Sequence, residues 1–308
     1  MRIRAGAVLF VGALATAVAL AASDELPPKA QCFPADNPWQ WDISKFKVHA
    51  DSDKIVAAIG AAKPLHPDFG TRYGIPFCVV PGTQKKVPVE FEYKDESDKG
   101  PYPIPDDAPI EGGAASDGDR HVLVIDKDKM LLYETWKSTR DGAGWKAGSG
   151  AIFDLKSNDL RPLGWTSADA AGLPIFPGLV RRDEVEKGEI DHAIRFTVQR
   201  SRKAYWFPAR HQAGRGDDPT LPPMGMRVRL KDAFDVKPFP KPVQVILRAM
   251  KKYGLILADN GSDWYLSGAP DTKWDDDVLH TISRVKGGDL EVVQSVDEHG
   301  KTVVPGKR

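Results

Sequence analysis

A histidine beside a carboxylate on one face of a strand is an acid–base arrangement, and this chain offers several. The clearest runs from Asp119 to Glu134, where His121 to Asp126 and Met130 to Trp136 read as two strands around Lys127-Asp128. With those two residues as the turn, His121 faces Glu134 across the hairpin. Strand alternation then places Leu123, Ile125 and Leu132 on the same face, and Asp119 tends to that side too. Cleavage of a glycosidic bond needs one protonated and one ionised carboxyl group. Glu134 is the expected acid, Asp119 or Asp259 its partner, and His121 the group that tunes it. The plainer alternative is a His–Glu pair satisfied at a sheet edge.

Further polar groups stand where they could meet a substrate. His192 opens a strand in Glu189-Ile190-Asp191-His192-Ala193-Ile194-Arg195, with Arg195 on the opposite face if that strand is regular. The run Tyr205-Trp206-Phe207-Pro208-Ala209-Arg210-His211 ends an aromatic strand in two cationic groups. Aromatic faces with polar tips suit sugar rings, so Trp206, Arg210, His211 and His192 are assigned to substrate binding, together with Asp169. A non-catalytic binding face would use Trp206, Trp264 and Tyr265 as its platform. A lyase would instead draw on His192, Tyr205 and Arg210 and would require a uronate substrate. Asp259 and Asp263 flank Asn260-Gly261 and also serve as turn formers. Asp275-Asp276-Asp277 lacks the spaced ligands and glycine of a calcium loop. No G-x-S-x-G, H-E-x-x-H, P-loop or dinucleotide fingerprint occurs. Neither a metal nor a cofactor is expected.

The elements that must hold these residues are short. With 28 Gly and 25 Pro, most apolar runs span four to eight residues before a turn former, which is the pattern of strands joined by turns. Gly74 to Pro81 and Lys86 to Tyr93 read as a pair, and Ala193 to Gln199, Ala204 to Pro208 and Met226 to Leu230 as further strands. Leu255 to Asp259 and Ser262 to Leu266 flank Asn260-Gly261, a strong hairpin signal. Helices are expected over Asp51 to Ala58, Pro242 to Tyr253 and, more briefly, Asp183 to Lys187. The Pro- and Gly-rich stretch from Asp95 to Gly118 reads as a long ordered loop. Together these give a mainly β fold, a jelly-roll-like β-sandwich with a few short helices.

Arg2 and Arg4, the apolar run from Ala5 to Ala22 and the Ala19-Leu20-Ala21 site form a secretory signal. Residues 1–21 are therefore expected to be removed, leaving 22–308 as one β-rich domain, secreted or periplasmic and monomeric. No later run is long enough to span a membrane. In that compartment Cys32 and Cys78 are expected to form a disulfide. The 43 basic and 43 acidic residues are interleaved without a basic stripe, which excludes the electrostatic footprint of a nucleic-acid binder.

Six segments carry a resemblance to an uncharacterised family of secreted bacterial proteins. They are Phe33 to Trp39 (FPADNPW), Leu65 to Gly70 (LHPDFG), Gly118 to Val124 (GDRHVLV), Gly164 to Pro174 (GWTSADAAGLP), Gly188 to Ala193 (GEIDHA) and Lys251 to Gly254 (KKYG). The family has no assigned reaction, but its members' association with carbohydrate-binding and immunoglobulin-like modules implies an extracellular glycan as partner. Asp119, His121, Asp169 and His192 fall within these segments, and with Glu134, Trp206 and Asp259 they are the positions that the resemblance marks.

Overall fold

The computed structural model describes residues 33–295. The expected signal segment and Cys32 of the expected Cys32–Cys78 disulfide lie outside those residues. Thirteen strands are present among them: β1 His66–Asp68, β2 Phe77–Val80, β3 Val89–Phe91, β4 Val122–Asp126, β5 Leu131–Trp136, β6 Thr139–Asp141, β7 Gly144–Ala147, β8 Ser149–Asp154, β9 Ile194–Val198, β10 Arg227–Leu230, β11 Leu255–Asn260, β12 Tyr265–Ser267 and β13 Leu290–Val292. The α-helices are α1 Ser52–Ile59, α2 Arg182–Lys187, α3 Lys241–Lys252 and α4 Asp276–His280. Three of these fall where capping and periodicity put them, within a residue of the expected ends. No helix among the described residues is long and apolar enough to cross a membrane.

The strands form three open sheets in a sandwich-like, mainly β fold. A six-stranded sheet runs β1-β12-β9-β11-β10-β13, a four-stranded sheet β2-β4-β5-β8, and a three-stranded sheet β3-β7-β6. The four-stranded sheet is the middle layer. Leu123, Ile125, Leu132 and Phe153 on one face belong to the main core shared with the six-stranded sheet and α3. Val122, Val124 and Tyr133 on the other face join a smaller core with Trp145 of the three-stranded sheet. Alternation along β4 and β5 thus feeds two cores rather than one core and solvent, which is why every residue of β4 is buried.

Two expected pairings and one expected strand are corrected. β2 and β3 do not pair: β2 runs parallel to β4, and β3 parallel to β7. Nor do β11 and β12 form a hairpin, although Asn260-Gly261 does turn the chain. β9 slots between them, parallel to β11 and antiparallel to β12. The turn signal reads only local backbone chemistry, whereas the buried Phe196 and Val198 of β9 supply a better-packed partner for both arms. Ala204 to Pro208 makes no strand, only an isolated bridge between Tyr205 and Met224.

α3 shows how local rules deliver the chain to the site. Pro242 lies in its first turn, where the missing N–H costs nothing. Val243, Ile246, Leu247 and Met250 form its buried face, and Lys251 and Lys252 end it. Gly254 then adopts φ +72°, and any Cβ there would meet the Val228 carbonyl at 2.4 Å. This glycine lets the chain pass directly from helix into β11.

Candidate active site

One face of the six-stranded sheet carries a polar strip, and the strand registers explain it. Residues paired across neighbouring strands point to the same face. His66 pairs with Tyr265, and Asp68 with Ser267, while Tyr265 pairs with Thr197. Arg195, two residues before Thr197, shares that face. A regular β11 would turn Asp259 away, because Ile256 is the residue opposite Arg195. A bulge between Leu257 and Asp259 adds one residue and sets Asp259 opposite Thr197. It is this irregularity that puts the Asp259 carboxyl beside Arg195.

Arg195 is buried and fully engaged. Its Nε donates to Asp169 Oδ2 at 2.8 Å and its Nη2 to Asp169 Oδ1 at 2.8 Å. Nη1 donates to Ser267 Oγ at 2.6 Å, and Nη2 lies 3.4 Å from Asp259 Oδ2. Asp169 is held by its own loop: its N–H donates to Ser167 Oγ at 2.9 Å, and the Ala171 N–H donates to the Ala258 carbonyl at the bulge, also at 2.9 Å.

The second half of the cluster comes from the end of the four-stranded sheet. His121, just before β4, is 1% exposed. Its Nδ1 lies 2.6 Å from Glu111 Oε2 and its Nε2 3.1 Å from the Ala168 carbonyl. Both partners are acceptors, so both ring nitrogens carry protons and the ring is an imidazolium. Glu111 sits in the long loop before β4, and Arg120 holds that loop. Arg120 adopts φ +53° and donates to the carbonyls of Ala114 at 2.9 Å, Ser116 at 2.7 Å and Ser138 at 2.9 Å. Asp119 stands at the rim, its Oδ1 accepting from Trp136 Nε1 at 3.0 Å.

These environments push the carboxyl groups in opposite directions. Burial, and next the charge of Asp169, raise Asp259 to about 7 against the opposing pull of Arg195. Burial also works against ionised Glu111, yet its hydrogen bond and charge contact with His121 leave it below the ordinary carboxylate value. For His121, burial disfavours the cation, but Glu111 overcomes this and lifts it to about 9. Asp68, at the end of β1, is exposed, yet the cover its neighbours give raises its carboxyl, with Glu111 and Asp119 adding to the effect.

The cluster collects Asp119, His121, Asp169 and Asp259 among the residues expected from sequence, and adds Asp68, Glu111 and Arg195. Glu111 carries no local motif and was not singled out; the one signal that could have found it is its place in the Pro/Gly-rich loop before a candidate histidine. His192 is elsewhere, with its Nε2 3.2 Å from Glu184 Oε1 in a buried cluster with Arg181. Trp206 is half-buried, with the His49 ring 5.2 Å and the Arg202 guanidinium 5.6 Å from it. Trp264 is fully buried and stacks on Phe196. Arg210 and His211 lie behind the Asp169 loop, where Arg210 Nε donates to the Arg161 carbonyl and His211 Nδ1 meets the Ala170 carbonyl. Asp275 caps α4, and Asp276 accepts from Thr71. Among the described residues no group of three or more His, Cys, Asp or Glu side chains could hold a metal ion.

The expected His121–Glu134 opposition is corrected. The turn takes four residues, Lys127 to Met130, so Leu123 faces Glu134. A slip of two residues preserves the face, and Glu134 does point into the main core. It reaches no solvent. Its carboxyl accepts the Ile175 N–H at 2.9 and 3.0 Å and the Phe176 N–H at 2.9 Å, pinning the turn that follows the Asp169 loop. Burial raises it to about 7 against those hydrogen bonds. Its position is that of a clamp. Glu134→Ala leaves two buried N–H groups unsatisfied, at roughly 1–3 kcal/mol each, so urea denaturation should show a loss of about 2–6 kcal/mol; a loss under about 0.5 kcal/mol would contradict the clamp.

The chain matches no family model, no curated protein and no solved structure.

Proposed function

We propose that this chain hydrolyses glycosidic bonds of an extracellular polysaccharide, with Asp259 as general acid and Glu111 as general base. The observation that carries this reading is a pair of carboxyl groups in one cluster, Asp259 beside Arg195 and Glu111 against His121. One is raised to about 7 and the other is held ionised by an imidazolium. Titratable neighbours driven apart in this way mark acid and base roles. Both are also reachable, with side chains 23% and 24% exposed.

The chemistry balances with these two groups and one water. Asp259 gives its proton to the glycosidic oxygen as the bond to the anomeric carbon breaks. The water oxygen bonds to that carbon, and its proton passes to Glu111. Both contacts of Glu111 with His121 fall on Oε2, which leaves Oε1 to meet the water. His121 and Arg195 act as positioning residues: the first holds Glu111 charged, and the second offsets the negative charge that Asp259 acquires.

The test is an assay of new reducing ends, and of ultraviolet absorbance from unsaturated uronates, on a panel of plant, fungal and bacterial polysaccharides. Glu111→Gln should cut kcat by about 10²–10⁴-fold while leaving the thermal transition in place. Absorbance without hydrolysis would replace this reading with a lyase. Binding without turnover of any glycan would replace it with a glycan-binding module.

A further inference from the structure

The charges around the cluster select among glycans. Glu111 and Asp119 lie close enough to Asp68 to raise its carboxyl, and Asp259 lies beside Arg195. The nearby cations are already spent. Arg195 is held by both oxygens of Asp169 and by Ser267. Both nitrogens of His121 are committed to Glu111 and Ala168, and Arg120 to backbone carbonyls. A carboxylate on the substrate would find Arg195, His121 and Arg120 already committed and would meet several acids.

A second feature points the same way. At the rim, the Lys137 ammonium rests 4.5 Å from the centre of the Trp136 ring, and the indole N–H of that ring is the donor to Asp119. The half-exposed Tyr93 lies 6.3 Å from Trp136 and widens the aromatic surface. An aromatic face polarised by a carboxylate is a place for an ammonium group, and the protein's own lysine already uses it.

We infer that the cluster takes a glycan whose sugar rings carry free amino groups, a polyglucosamine rather than a neutral glucan or a polyuronate. This rests on the hydrolase reading of the same site. Ring faces stack on Tyr93 and Trp136, and the ammonium groups lie against Asp119 and Asp68, taking the place of Lys137.

The experiment compares polyglucosamine of graded N-acetylation with a neutral β-glucan and a polyuronate. Rates are read on the wild type, and binding is read by calorimetry on Asp259→Asn. The expected result is a fall in kcat/KM of at least about tenfold from mostly free to mostly acetylated amines, the scale of one lost charge-assisted contact. KM for the amino-rich polymer should rise severalfold between about 0.02 and 0.3 M salt, because such contacts are screened. Asp119→Asn should raise that KM by roughly three- to fivefold and flatten its salt dependence. Equal or faster hydrolysis of the acetylated or neutral polymer overturns the inference while the hydrolase reading stands. Salt-sensitive binding of the amino-rich polymer without cleavage of any glycan sinks the hydrolase reading and keeps the ligand class. No binding of the amino-rich polymer by Asp259→Asn overturns the inference outright.

Discussion

Asp259→Asn keeps the fold and loses about 10²–10⁴-fold in kcat on a glycan substrate, the usual contribution of a positioned general acid. The amide can still accept from Arg195, so the change removes a proton donor and little else. The pH profile gives the sharper readout. Asp259 works protonated, so kcat/KM in the wild type falls as pH rises through about 7. Glu111 works ionised, so activity falls on the acid side only below the ordinary carboxylate value, where its contact with His121 has moved it. In Asp259→Asn the alkaline fall near 7 should disappear from the residual activity. An aryl glycoside with a good leaving group needs little protonation and should lose far less rate than a sugar–sugar linkage. A variant with wild-type rate on the natural linkage would remove Asp259 from the acid role.

How much of this could be read beforehand follows from the range of the forces involved. α1, α2 and α3 depend on caps, glycine stops and a 3.6-residue apolar period, all local, and each lies within a residue or so of its expected place. The strand segments around β4, β5, β9, β10 and β11 were visible for the same reason. Strand partners were not, because pairing is decided by which apolar faces bury best across the whole molecule. Asn260-Gly261 announces a turn truthfully, yet nothing in those two residues says that β9 lies between the strands they connect.

The site divides along the same line. Asp119, His121 and Asp169 could be singled out because a histidine beside a strand start and an acid in a Gly/Ala-rich loop are locally unusual. Glu134 was placed on the right face through a register wrong by two residues, but its depth was not legible. Whether a carboxyl stops at the surface or beneath Ile175 and Phe176 depends on a loop forty residues away. Asp259 illustrates the opposite case. Its place in the cluster depends on a one-residue bulge in β11, a feature with no dedicated sequence mark. Asp68 shares the face of Arg195 only once β12 joins β1 to β9, and Glu111 joins them only once the loop before β4 is folded against that sheet.

Arg195→Leu should be the most destabilising single change at the site. The guanidinium and the Asp169 carboxylate are 5% and 0% exposed and share two hydrogen bonds of 2.8 Å. Removing the cation leaves a buried carboxylate with no counter-charge, a loss of roughly 3–5 kcal/mol from a total stability of about 5–15 kcal/mol. Much of that cost lies in the stranded charge and not in the missing contact. Adding Asp169→Asn to Arg195→Leu should therefore recover most of the loss, measured by urea denaturation followed by circular dichroism. The two variants should also differ in pH dependence. Arg195 lowers Asp259 and Asp169 raises it, so the alkaline limb of residual activity moves upward in Arg195→Leu and returns toward 7 in the double variant. If Arg195→Leu is as stable as the wild type, the pair is not the buried anchor that its geometry indicates. If stability returns in the double variant while the limb stays high, the field acting on Asp259 comes from groups other than these two.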